Sequence, residues 1–148
     1  MFDQKSIILN CDKTEKESII RFLAQKAFEA GYVSDVEPYV HAVLEREQEY
    51  STGVGFNIGI PHGKAESVKE AFVMFTRVNN VDWQSLDGEP VDMVFQIGVP
   101  ASDAGDQHLR ILAQLSRKLM NDDFRAALRS AKSSDEVIAT YKEYGLVD

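Results

Sequence analysis

The sequence predicts an α/β fold, and three features carry that reading. Helical apolar stripes occupy residues 14–46, β-rich runs occupy 71–78 and 91–99, and helical periodicity returns beyond Pro100. The apolar period thus switches from helical to strand-like and back, with neither a repeat nor a low-complexity segment. At 148 residues the chain has the size of one globular domain with a substantial core, so a single domain over 1–148 without a linker is expected.

Taken in order, the first element is a short strand predicted at 6–9. Thr14 and Glu17 then have capping-box spacing, and Ile20, Leu23, Ala24, Ala27 and Phe28 form a helical stripe that ends at Gly31. Ser34 and Glu37 repeat the box, and Pro38 suits an early helical turn. Val36, Val40, Val43 and Leu44 form a second stripe that runs to Arg46, near the helix end. Residues 51–63 hold Gly53, Gly55, Gly59, Gly63 and Pro61, too much backbone freedom for a helix, and predict a loop flanking a short strand near Ile58 and Ile60. Two strands follow at 71–78 and 91–99, separated by the turn-prone run at 86–90. Leu109, Leu112, Leu115 and Leu119 then share one helical face. Shorter helices are predicted near 122–131 and, after a third box at Ser133 and Glu136, near 135–144.

Composition excludes several classes of function. A net charge of −8 opposes binding driven by phosphate neutralisation, and Lys and Arg are scattered, so nucleic acid is not expected as a partner. No apolar run reaches the ~20 residues that cross a bilayer. Residues 1–10 also lack the basic start and long apolar stretch of a signal peptide, so a soluble, cytoplasmic protein without membrane insertion is expected. Cys11 is the only cysteine, which rules out an internal disulfide, a thiolate metal cluster and a CxxC pair; it reads as a small, semi-buried residue. Ile58 stands where a dinucleotide fingerprint starting at Gly53 needs glycine, and Ala65 follows Gly63-Lys64 where a nucleotide phosphate loop needs Ser or Thr. GxSxG and HExxH motifs are absent, and His41, His62 and His108 have no local metal-ligand spacing.

What remains is His62, between Pro61 and Gly63 directly after a strand, where a turn can present an imidazole edge to a partner. A neutral histidine has a nucleophilic nitrogen, since its ordinary pKa is about 6.5, and a hydrogen bond on the other ring nitrogen selects the one that attacks. A lone histidine in a turn is more often a surface or structural residue, so this reading depends on its surroundings. His108 lies four residues before Leu112 and seven before Leu115, at the start of the apolar stripe. With Asp106 as its N-cap, that helix start favours an anion. Arg46 offers a planar fork for phosphate oxygens, although an arginine in a last helical turn also serves simply to offset the dipole. His41 shows no such convergence and reads as structural.

The runs Leu44-Glu45-Arg46-Glu47, Ser51-Thr52-Gly53-Val54-Gly55 and Ile58-Gly59-Ile60-Pro61-His62-Gly63 resemble the signature of the fructose- and mannitol-type enzyme IIA domains of the sugar phosphotransferase system. The resemblance continues through Ser85-Leu86-Asp87-Gly88-Glu89-Pro90-Val91, Val99-Pro100, His108-Leu109, Ile111-Leu112 and Leu115-Ser116, and so covers nearly the whole chain. One departure is Phe56-Asn57, where relatives more often carry glycine. The resemblance implies a central mixed β-sheet flanked by helices on both faces. It implies that His62, phosphorylated on Nε2, takes its phosphoryl group from the histidine-containing phosphocarrier protein and passes it to a cysteine of an enzyme IIB, which serves a membrane enzyme IIC. His108 and Arg46 would be the supporting pair, with Thr52 and Gly63 helping to form the phosphate pocket and neither metal nor nucleotide required. The expected sugar is of fructose type, with mannitol and galactitol relatives as alternatives. A nitrogen-type enzyme IIA paralogue, which signals by binding proteins according to its phosphorylation state, shares the motif and is the alternative function. An enzyme IIB is disfavoured because Cys11 lacks that family's phosphate loop.

Overall fold

A computed structural model of the chain describes residues 2–103 and 105–147, apart from the side chains of 106–108. After a short 3₁₀ turn at Gln4–Ser6, the described elements are β1 (Ile7–Asn10), α1 (Lys16–Glu29), α2 (Val36–Glu49), β2 (Gly53–Gly55), β3 (Ile58–Gly59) and β4 (His62–Ala65). They continue with β5 (Phe72–Val81), β6 (Val91–Pro100), α3 (Asp106–Leu119), α4 (Asp122–Ser130) and α5 (Ser134–Glu143). One mixed sheet runs β1-β5-β6-β3-β2, with β4 also paired to β6. The strands β5 and β6 are antiparallel to each other, whereas β1 is parallel to β5 and both β3 and β4 are parallel to β6.

Alternation along the central strands separates two apolar cores. Phe72 and Met74 of β5 pack with Ile20, Leu23, Val40 and Val43 of α1 and α2, while Val73 and Phe75 pack with Ile111, Leu115, Phe124 and Val137 of α3 to α5. Helices therefore cover both faces, as expected. The predicted stripes differ in detail. Tyr39 is buried on α2, Phe28 of α1 is 44% exposed, and Leu109 of α3 is 65% exposed. Cys11 is buried, and burial pushes its thiol above the ordinary range.

Two of the three predicted capping boxes shift. The first helix starts after Glu15 and the second after Asp35, neither with a side-chain cap bond; Ser34 instead donates to the Ser67 carbonyl at 3.2 Å. The third forms by half: Ser133 Oγ accepts from the Glu136 amide at 3.2 Å as the N-cap, while the Glu136 carboxylate accepts from the Lys132 amide at 2.8 Å and not from that of Ser133. The α3 helix starts on Gly105, at φ 100°, and not on Asp106, which is its first helical residue.

The glycine-rich segment contains the short strand expected near Ile58, and is strand also at Gly53–Gly55 and His62–Ala65, where a loop was expected. Ile58 and Gly59 pair with Met93 and Val94, and His62 to Ala65 pair with Ile97 to Pro100 in the same register, so β3 and β4 are one line interrupted at Ile60 and Pro61. Pro61 has no amide to donate, yet its carbonyl accepts from Ile97 at 2.9 Å, while the Ile60 amide turns to the Thr52 carbonyl at 3.0 Å. The β2–β3 hairpin turns on Phe56 and Asn57, both left-handed at φ 57° and 63°, the geometry for which glycine is usual. Tertiary contacts offset that strain. The Arg125 guanidinium lies 4.0 Å from the Phe56 ring centre, Arg129 donates to the Phe56 carbonyl at 2.6 Å, and Asn57 donates to the Pro90 carbonyl at 2.9 Å.

Candidate functional site

His62 opens β4 instead of standing in a turn, and among the described residues β4 pairs only with β6. The next residue faces α2. A methyl carbon at Gly63 would meet Val43 Cγ2 at 2.9 Å and the Val43 amide nitrogen at 3.0 Å, so α2 lies directly on β4. That close approach puts the last turns of α2 beside His62. Ala42, Glu45, Arg46 and Glu49 from α2 and His62, Gly63 and Lys64 from β4 line one open cleft of about 390 Å³.

The half-buried His62 ring is oriented by its own chain. Nδ1 lies 2.9 Å from the Ile60 carbonyl oxygen, which can only accept, so the neutral ring carries its proton on Nδ1 and its lone pair on Nε2. Burial lowers the pKa of His62 below its ordinary value. The Arg46 charge adds to that effect, and the Ile60 carbonyl, Glu47 and Glu49 oppose it without reversing it. A neutral imidazole with the lone pair on Nε2 is a nucleophile near neutral pH.

Arg46 reaches the cleft as the sequence suggested. It donates from Nη1 to the Tyr50 carbonyl at 2.9 Å, its guanidinium carbon lies 4.2 Å from the centre of the Tyr50 ring, and Nε is 4.0 Å from Glu49. These contacts hold the planar fork at the helix end, where it can offset the charge of an oxyanion on His62. His108 lies in the first turn of α3, with its side chain outside the described residues. His41 is on the exposed side of α2, with Nε2 2.9 Å from Glu45, and so pairs at the surface.

The Thr52 side chain is buried, with the hydroxyl donating to Glu47 and accepting from Trp83 Nε1 at 3.2 Å. Its carbonyl accepts the Ile60 amide at 3.0 Å, two residues before His62. Sequence reasoning missed Glu47. This carboxylate is 4% exposed and pairs with Lys16 Nζ at 2.9 Å. A signal was present, because Glu47 continues the buried Val40, Val43 stripe at helical spacing, where a charge is out of place. Trp83 and Lys16 come from distant parts of the chain and had no such signal.

The chain is similar to several known proteins. The family model described as "Phosphoenolpyruvate-dependent sugar phosphotransferase system, EIIA 2" matches residues 1–144. The "PTS system fructose-specific EIIA component" of Haloferax volcanii is 45% identical over 123 residues, which are 82% of this chain and 79% of that protein. Two longer relatives, both EIIABC components, are matched over 22% of their length. The crystal structure of nitrogen regulatory protein IIA-Ntr from Neisseria meningitidis superposes with a TM-score of 0.82 at 28% identity, covering 93% of this chain and 94% of the other. Enzyme IIA mannitol in its complex with phosphorylated enzyme IIB mannitol from Escherichia coli superposes with a TM-score of 0.78 at 26% identity, covering 94% and 95%.

Proposed function

Because the chain belongs to the EIIA 2 family of the phosphoenolpyruvate-dependent sugar phosphotransferase system, whose components pass phosphate by way of a histidine, we propose that His62 is the residue that carries the phosphoryl group. The observation that carries this reading is the 2.9 Å contact between His62 Nδ1 and the Ile60 carbonyl, which assigns the lone pair to Nε2. In the proposed step that lone pair attacks phosphorus on the histidine of the phosphocarrier protein. The bond to the donor nitrogen breaks, and its electron pair returns to the donor ring. In the second step a thiolate of enzyme IIB attacks the same phosphorus and His62 recovers its lone pair. Such transfers depend mainly on alignment and charge stabilisation, which Arg46 supplies from α2. His108, from the first turn of α3, is proposed as its companion on the phosphoryl oxygens.

The fructose-specific name of the Haloferax volcanii relative supports a fructose-type sugar, and the enzyme IIA mannitol complex supports an enzyme IIB as acceptor, serving a membrane enzyme IIC. We place the activity in the cytoplasm, within a single EIIA domain over 1–148. Among the described residues, no helix is long and apolar enough to cross a membrane. The superposition on IIA-Ntr favours a second reading, a regulator that binds proteins according to its phosphorylation state. The test is to incubate the purified chain with phosphoenolpyruvate, enzyme I and the phosphocarrier and to locate acid-labile phosphate by mass spectrometry. Phosphate is expected on His62 and absent from His62→Ala; equal labelling of both proteins would refute the assignment. Onward transfer to an enzyme IIB cysteine would favour transport over regulation.

A further inference from the structure

Next to Arg46, on the same last turn of α2, Glu47 turns inward and does not line the cleft. It is held from three directions. Lys16 Nζ, on the first residue of α1, lies 2.9 Å from Oε2, the Thr52 amide donates to Oε2 at 3.3 Å, and the Thr52 hydroxyl donates to Oε1. The Thr52 oxygen also accepts from Trp83 Nε1 at 3.2 Å, and Lys16 Nζ lies 5.4 Å from the Trp83 ring centre. A buried carboxylate with this many donors is over-determined for a surface pair, and its bonds fix the position of Thr52.

Thr52 is one link from the nucleophile. Its carbonyl accepts the Ile60 amide at 3.0 Å, and the Ile60 carbonyl accepts the proton of His62 Nδ1 at 2.9 Å. Neither Ile60 nor Pro61 belongs to a strand, and β6 restrains this two-residue break through the Pro61 carbonyl. The Pro61 carbonyl is tied to Ile97 on one side, and the Ile60 amide is tied to Thr52 on the other. The direction of the Ile60 carbonyl, and with it the choice of His62 tautomer, therefore depends on where Thr52 is held.

We propose that Glu47 is a positioning residue for His62, holding Thr52 and through it the Ile60 carbonyl that keeps the imidazole proton on Nδ1. The chain of bonds runs Lys16, Glu47, Thr52, Ile60, His62 and joins α1, α2 and the residue before β2 to the start of β4. Its bearing on phosphoryl transfer rests on the proposed role of His62, whereas the tautomer itself does not. Glutamine at position 47 keeps the shape but places an amide NH₂ where the site needs an acceptor for Thr52 or Lys16.

The test is nitrogen NMR of the intact protein with ¹⁵N-labelled histidine at about pH 8, where a neutral imidazole shows one protonated and one bare nitrogen for a single tautomer. Wild type is expected to show His62 with its proton on Nδ1. Glu47→Gln is expected to move both His62 nitrogen shifts towards the averaged values of exchanging tautomers, while His41, exposed on the same helix, keeps its own. Phosphoryl acceptance should fall by about a hundredfold, as for a displaced reacting group. Thr52→Val, which keeps the backbone and the volume, should give a smaller shift of the same sign and serves if Glu47→Gln does not fold. Unchanged His62 shifts in a folded variant would overturn the proposal, as would a wild-type His62 protonated on Nε2. A wild type with the expected tautomer that takes up no phosphoryl group would instead overturn the proposed function and leave this assignment in place.

Discussion

The α2 helix, which brings Arg46 to the cleft, and the α3 helix, whose first turn includes His108, are attached to the sheet in different ways. Helix α2 rests on β4 with no room for a methyl group at Gly63, and its last turn is tied inward by Glu47. Helix α3 meets the other face through Ile111, Leu115 and Leu119, begins on a left-handed Gly105 and leaves Leu109 exposed. Backbone contact at a glycine sets a helix against a strand to within a few tenths of an ångström, whereas packing by side chains farther along leaves the first turn to its own local start. Arg46, the cation proposed to meet a phosphoryl oxygen, is thus carried on the side of the molecule with the least slack.

Four measurements would break or sharpen that contrast. The largest effect is expected from Arg46→Ala, which should slow phosphoryl acceptance by about a hundredfold without abolishing it, as for the loss of one oxyanion partner. Rapid-quench kinetics would check this, and an unchanged rate would remove α2 from the chemistry. Gly63→Ala should lower stability by about 1–3 kcal/mol through overpacking against Val43, while Leu109→Ala on α3 stays within about 0.5 kcal/mol. Urea denaturation of the pair tests the contrast directly, and equal costs would contradict it. Next comes pH. Burial holds the folded-state pKa of His62 below its ordinary value, so the unfolded chain takes up the proton first as pH falls. The stability tied to a neutral His62 is complete above about pH 6.5 and is lost as pH falls from there through the folded-state value. His62→Gln should flatten the dependence of the urea midpoint on pH in that interval. The smallest effect belongs to His41→Ala, which removes an exposed pair with Glu45 and should change stability by no more than about 0.5 kcal/mol and leave acceptance unaltered.

Much of the fold was legible because it is written locally. The apolar stripes of α1 and α2, the β-rich runs that became β5 and β6, and the Ser133 cap of α5 each depend on residues within a few positions of one another. His62 and Arg46 were legible through residue chemistry and motif order, and they share a cleft. Less legible was the segment from Gly53 to Ala65. Its glycines read as freedom, which Gly55 uses at φ 94°, whereas Gly63 admits Val43 and Gly59 admits the Trp83 ring. Phe56 and Asn57 gave no glycine signal for their left-handed turn, because the arginines that offset its strain are on α4.

By itself, then, the order of residues determined the helices, the two long strands, the candidate nucleophile and its arginine, since short-range periodicity and side-chain chemistry suffice for these. Only the tertiary structure decided that β3 and β4 form one line along β6, that Thr52 bonds to Glu47, and that His62 Nδ1 meets the Ile60 carbonyl. Each of those outcomes depends on partners far apart in the chain, whose geometry exists only once α1, α2 and the sheet have packed.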